Sequence, residues 1–436
     1  MENACASEAT PSRFRRESPL LATAVVSRHV DGDRLWQRLM ELARLGATTH
    51  GGVNRQALSD EEIAARALLT RWGRDLGLVP FNDPAANFFL RLRGRDDALP
   101  PMLVGSHMDS QPTGGRFDGA LGVLAALEAI EAIRLAGVQP RRPIELVAWM
   151  NEEGSRFAPG MMGSATFVGA RKLQDILEIR DAAGMTVGSA LDRVLSAERD
   201  VATRPLGFKP AAFLELHIEQ GPVLEARDRT IGVVSGIQGK RTFRVRIDGQ
   251  ENHAGTSPRG VRRDALVAAV HALNALHTAM WDHEDVVRFT VGMFTVSPNV
   301  PSVVPARVTF SIDLRHPDDA TLRRLGDAIA PICEQATATC ASSVTELLYD
   351  QPLEFTLQIR SLLGSIASKL QIPWMDIPSG AGHDARHLHA VCPTGMIFVP
   401  CKDGISHNEA ESVLKEHAAD GTRVLAEAVL DLAQAE

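Results

Sequence analysis

Histidines and acids recur in this chain in short clusters that follow apolar runs. Imidazole nitrogen together with carboxylate oxygen is the donor set of zinc and similar divalent ions. Residues 105–120, GSHMDSQPTGGRFDGA, hold His107, Asp109 and Asp118 among Gly105, Gly114, Gly115 and Gly119. Glu152 and Glu153 are adjacent in NEEGSRF, His217 lies in ELHIEQG, and His407 lies in DGISHNEAE. The candidate metal ligands are thus His107, Asp118, Glu153, His217 and His407. Each alone is ordinary, since a histidine at a strand end is more often a satisfied core or surface residue than a ligand, and a glycine-rich polar stretch is commonly a solvated loop. Their joint occurrence points to a metal, and a catalytic site would keep one position open for water. Neighbouring strand residues point to opposite faces, so Glu152 and Glu153 would diverge within a strand. In a turn after the strand, one can ligate while the other reaches the attacking water.

Such a cluster needs rigid elements to converge it. Apolar runs at 101–109 (PMLVGSHMD), 143–153 (PIELVAWMNEE), 211–221 (AAFLELHIEQG) and 396–401 (MIFVPC) alternate with helical patterns, which predicts an α/β domain around a buried sheet. His107, the Glu152–Glu153 pair and His217 sit where three of these runs end, and the carboxyl ends of strands are where open α/β sheets bind ligands. Leu35, Leu39, Leu42 and Leu45 give a first amphipathic helix. Ser59 and Glu62 form a capping box for a second helix that can stop at Gly77. The run ALGVLAALEAIEAIRLAG after Asp118 reads as a helix anchored in the core.

Between about 238 and 352 the pattern becomes strand (242–249), helix (262–280), strand (286–296), strand (307–315), helix (318–336) and strand (343–349). This βαββαβ order predicts a ferredoxin-like domain, residues 239–352, inserted into a domain made of 31–238 and 353–436. Residues 1–30 read as an unstructured terminus, with structure starting near Asp31.

Composition narrows the function classes. A hydrophobic content of 44% supports a large core, and a formal charge of -8 with only short basic runs argues against nucleic acid. No window is apolar for long enough to span a bilayer. LLATAVV (20–26) lacks a convincing cleavage site, so no secretory signal is expected. Five cysteines without a C-x-x-C pair suit free thiols in a reducing cytoplasm.

With GSHMDSQPTGGRFDGALG, NEEGSRF, ELHIEQGPVLE, NHAGTSPR, DLRHPD, SGAGHDA and DGISHNEAE in this order, the chain from about residue 30 onward resembles the N-carbamoyl-L-amino-acid hydrolase and allantoate amidohydrolase group. That group belongs to the dinuclear metallo-aminoacylase and carboxypeptidase superfamily. The resemblance implies a zinc-peptidase-like catalytic domain with residues 239–352 as an inserted lid and dimerisation domain. It implies two divalent ions per subunit, with zinc, manganese, cobalt and nickel all suited to such donors. His107, Asp118 and His217 would hold one ion, and Asp118, Glu153 and His407 the other.

Asp109 would orient the His107 imidazole, and Glu152 would be the general base toward the attacking water. His253 would stabilise the oxyanion from a partner's lid, so the resemblance also implies a homodimer. Arg315 would clamp a substrate carboxylate, with Gln220, His383 and Asn299 near the substrate. With His217 neutral, two divalent ions against Asp118, Glu153 and one hydroxide leave a formal charge of about +1, which favours an anionic substrate. The expected activity is hydrolysis of a ureido C–N bond in a small acid such as an N-carbamoyl-L-amino acid. Allantoate or ureidoglycolate hydrolysis, aminoacylase or dipeptidase activity, and a non-catalytic binding protein are the alternatives. One departure is Ser302 in PSVVP, where many relatives carry asparagine; it bears on allantoate specificity more than on catalysis, and Asn299 could compensate.

Overall fold

The computed structural model describes residues 26–337 and 339–436. Its larger sheet has ten strands. Hydrogen-bonded neighbours run from Leu353–Glu354 through Ile231–Ile237, Thr394–Val399, Ala212–Ile218, Met102–His107, Ile144–Trp149, Phe88–Leu92 and Val79–Asn82 to Ala202–Thr203. Trp374–Ser379 pairs alongside Ile231–Ile237. The four strands at its centre, Thr394–Val399, Ala212–Ile218, Met102–His107 and Ile144–Trp149, are mutually parallel. Every residue of each of them is buried, which is why they read as continuous apolar runs without alternation.

Helix Ala120–Leu135 lies against this centre and is covered in turn by Gly32–Leu42 and Lys415–Gln434. It is buried nearly all round, as expected of a helix enclosed between a sheet and other helices. Helix Asp60–Asp75 starts at Ser59, whose Oγ accepts the Glu62 amide at 3.2 Å. The reciprocal half of the capping box is altered: the Glu62 carboxylate takes the amide of Leu58, one residue upstream of the cap.

The expected unstructured stretch 1–30 falls, for residues 1–25, outside the described residues. Residues 26–30 are ordered, contrary to that expectation, with a short helical turn at Ser27–His29 and Val26 fully buried. The cause is tertiary: one carboxylate oxygen of Glu427 accepts the amides of Val26 at 3.1 Å and Ser27 at 2.8 Å.

The chain leaves the large sheet at Ile237 and returns to it at Leu353. Between them, Ala341–Asp350, Gly239–Asp248, Arg307–His316 and the pair Arg288–Thr290 and Phe294–Ser297 form a second sheet, antiparallel throughout. Helices Ala265–Ala279 and Asp319–Ala336 cover one face, meeting Phe243, Val245, Ile247, Val308, Phe310 and Ile312 in a separate hydrophobic cluster. This is the βαββαβ topology, with one correction: 286–296 is not one strand. Thr290 pairs with Asp313 and Phe294 with Phe310, so three residues oppose two and the strand breaks at a bulge around Gly292. Ser311 Oγ accepts the otherwise unpaired Met293 amide at 3.0 Å.

Candidate metal centre

Parallel pairing puts the carboxyl ends of the central strands side by side. His107 closes its strand and is in register with Trp149. His217 is the penultimate residue of its own strand, opposite Phe398. The turn after Trp149 carries Glu152 and Glu153, and the loop after Val399 carries His407. Asp118 returns to the same end through the glycine-rich turn and precedes helix Ala120–Leu135. Gly119 has φ +63°, and a Cβ there would lie 2.3 Å from His107 Cε1, so only glycine lets this turn lie against the imidazole.

The side chains converge in two groups that share Asp118. Ligand atoms of His107, Asp118 and His217 lie within 4.8 Å of one another, and so do those of Asp118, Glu153 and His407. Asp118 Oδ1 is 3.1 Å from His217 Nε2 and 3.7 Å from His107 Nε2. Its Oδ2 is 3.4 Å from His407 Nε2, which is also 3.4 Å from Glu153 Oε2. Glu152 belongs to neither group, yet its Oε2 is 3.6 Å from His107 Nε2.

Second contacts set the ring tautomers. His107 Nδ1 is 3.0 Å from the Asp109 carbonyl and His217 Nδ1 is 2.9 Å from the Ile218 carbonyl. A carbonyl only accepts, so each Nδ1 carries a proton, which leaves Nε2 as the nitrogen that would ligate an ion in the shared space. The Gly119 amide also points at His217 Nε2, at 3.3 Å. The expectation for Asp109 changes here. Its carboxylate, 3.5 Å from His107 Nδ1, is beyond good hydrogen-bond distance and instead accepts the amides of Glu152 at 3.2 Å and Glu153 at 3.1 Å. Asp109 thus holds the acidic turn with its side chain and the histidine with its main chain.

These donors fit divalent ions. Carboxylates of Asp109, Asp118, Glu152 and Glu153 crowd around three imidazoles in a largely buried space, and Gln220 Oε1 is buried there without a partner. Gln220 (φ 57°), His407 (φ 53°) and Asn151 (φ 53°) adopt left-handed backbone conformations, a strain that concentrates at functional sites. Burial and the neighbouring Asp118 push Glu153 up to about 7. The hydrogen bond that protonated His407 donates to Asp118, opposed by burial and assisted by Glu153, raises His407 to about 9. Near neutral pH His407 therefore holds a proton and Glu153 holds one part of the time, and an ion would displace both. Metal uptake is expected to release protons and to tighten as pH rises from 6 to 9, a trend that calorimetry in buffers of different ionisation enthalpy would measure. Uptake independent of pH would contradict it.

Among the other expected site residues, His383 is buried with its ring 4.6 Å from that of His217. Burial and His217 hold it well below the usual histidine range, and its Nε2 meets Ser379 Oγ at 3.1 Å. Gln220 Nε2 donates to Asp118 Oδ2 at 2.9 Å. Arg315 donates to Asp313 and, at 2.8 Å, to the Gly380 carbonyl, linking the second sheet to the loop before His383. His253 and Asn299 are exposed and make no hydrogen bond to the cluster among the described residues.

Several residues of the site were not singled out from sequence. Gln111 Nε2 donates to Glu153 Oε2 at 2.7 Å. Ser406 and the buried Glu411 contact the Asp118 turn, and Glu215 and Asp384 are buried behind His217 and His383. Glu411 stands in the quoted motif DGISHNEAE, but nothing in its spacing separates it from Glu409.

The donor groups at the strand ends of this α/β sheet define a metal-dependent hydrolase. Residues 103–431 match the family model described as peptidase family M20/M25/M40, and the chain belongs to that family, in its amidohydrolase group. An N-carbamoyl-L-amino-acid amidohydrolase of Rhizobium meliloti is 39% identical over 94% of this chain and 98% of its own. An allantoate amidohydrolase of Bacillus subtilis is 33% identical over 90% and 96%. A hydantoinase/carbamoylase family amidase of Burkholderia multivorans superposes with TM-score 0.86 at 44% identity, covering 93% of this chain and 99% of that one. A tripeptidase from Staphylococcus aureus, 14% identical with TM-score 0.68, shares the fold. No helix of the described residues is long and apolar enough to cross a membrane.

Proposed function

We propose that the chain is an amidohydrolase that binds two divalent ions and cleaves the ureido C–N bond of an N-carbamoyl-L-amino acid. What carries this reading is the pair of donor groups sharing Asp118, with Glu152 beside His107 and belonging to neither group. The substrate class follows from the relatives named above. When bound, divalent ions lower the pKa of water and polarise the scissile carbonyl. Glu152 then takes the proton of the attacking water and returns it to the leaving nitrogen.

Arg315 engages three of its N–H groups with Asp313 and Gly380. A guanidinium has five, so two remain for a substrate carboxylate. His253 Nδ1 accepts the amides of Gly255 at 3.0 Å and Thr256 at 3.1 Å. Its proton must then sit on Nε2, which suits an oxyanion donor. Since His253 makes no hydrogen bond to its own cluster among the described residues, we assign it to the site of a second copy, joined through residues 239–352. Exposed apolar residues support that pairing: Val267 and Val270 on one helix, and Trp281 at 80% exposure just after it. The four described cysteines are unpaired, which supports a cytoplasmic setting.

Reconstituted protein is expected to release ammonia from N-carbamoyl-L-amino acids. No release from these, allantoate, ureidoglycolate or 3-ureidopropionate would sink the proposal, and faster cleavage of N-acetyl amino acids or dipeptides would favour an aminoacylase or peptidase instead. Mixing Glu152→Ala with His253→Ala chains should restore part of the activity through hybrid dimers. No recovery after verified subunit exchange would count against shared sites.

A further inference from the structure

Glu411 belongs to neither donor group, yet it joins the turn that carries Asp118 to the loop that carries His407. Its side chain is 5% exposed. One carboxylate oxygen, Oε1, accepts the amides of Phe117 at 2.9 Å and Asp118 at 3.0 Å. The other, Oε2, is 3.2 Å from Ser406 Oγ, whose hydroxyl is also 3.1 Å from Asp118 Oδ2. Gly115 makes room for this contact, because a Cβ there would lie 2.1 Å from Glu411 Oε1. Ser406 has a single proton, so it donates either to Asp118 or to Glu411 and accepts from Gln220 Nε2 at 3.3 Å.

Helix Ala120–Leu135 anchors Asp118 only from its C-terminal side, whereas His407 sits on an exposed loop in a left-handed conformation. Without a tie, the separation between these two donors would vary with the loop. We propose that Glu411 is a positioning residue: by holding the Phe117 and Asp118 amides and Ser406 together, it sets the spacing of Asp118 and His407 before an ion arrives. The inference rests on the reading of the cluster as a metal site and is independent of the substrate.

The test is calorimetric titration of metal-stripped protein with Zn²⁺ and Co²⁺, backed by competition with a chromophoric chelator. Glu411→Ala is expected to weaken by about 10–100-fold the binding step that His407→Ala also weakens, with a smaller loss at the step that depends on His107 and His217. Glu411→Gln keeps an oxygen that accepts both amides and should bind close to the unmodified protein. Should Glu411→Ala not fold, Glu411→Asp, one methylene too short to reach both amides, supplies the same comparison. Unchanged affinity for both ions in the folded variant overturns the inference, as does an equal loss in Glu411→Gln. If the unmodified protein takes up no ion, the metal reading itself falls.

Discussion

Replacing Glu152 by glutamine should lower kcat about 10²–10⁴-fold, the range that a positioned general base contributes, and leave bound metal unchanged. Glutamine keeps the shape and one acceptor oxygen but cannot carry a proton between water and the leaving nitrogen. Glu152 is outside both donor groups, so its loss removes no ligand. Its surroundings suit the role. Burial, opposed by the charge of His107 and assisted by those of Asp384, Glu153 and Asp109, holds its carboxyl well above the usual carboxylate range. A bound divalent ion adds positive charge at the same place and favours the carboxylate form. The group thus has reason both to take a proton and to give it back. Steady-state kinetics with metal analysis on the same sample would check this. A fall in kcat below tenfold would remove Glu152 from the chemistry, and a parallel loss of metal would make it a ligand.

The second large effect is expected at Asp118, the one residue common to both donor groups. Asp118→Ala should weaken metal binding at both positions by more than about 100-fold, since even the outer partners of metal ligands cost 10–100-fold, and activity should fall with it. His217→Ala and His407→Ala should each weaken a single step. Elemental analysis after dialysis, with circular dichroism to confirm folding, separates these outcomes. An Asp118→Ala protein that keeps one ion at unchanged affinity would show that the groups do not share a bridge.

Much of this protein was legible from residue order alone. The four central strands announced themselves as apolar runs because both of their faces are covered, and the change of period near residue 238 marked the second sheet. Histidine and carboxylate at the ends of those runs already specified the chemistry of the donors. Less legible were features that depend on a distant partner. Val26 and Ser27 are ordered by Glu427, some four hundred positions away. The break around Gly292 depends on where Asp313 and Phe310 fall in register. Glu62 chose the Leu58 amide over that of its own cap, which a local motif does not distinguish.

Within the site, residue type and spacing determined which side chains could bind a cation, because donor chemistry is a property of each side chain and strand endings follow from local periodicity. Only the tertiary structure decided what each atom faces. Parallel register set His107 beside Trp149 and His217 beside Phe398. The turns then directed the Asp109 carboxylate to the amides of Glu152 and Glu153, and brought Glu411 under Asp118. Those outcomes rest on packing between segments tens to hundreds of residues apart, and a hydrogen bond depends on the distance and direction of atoms that no local spacing specifies.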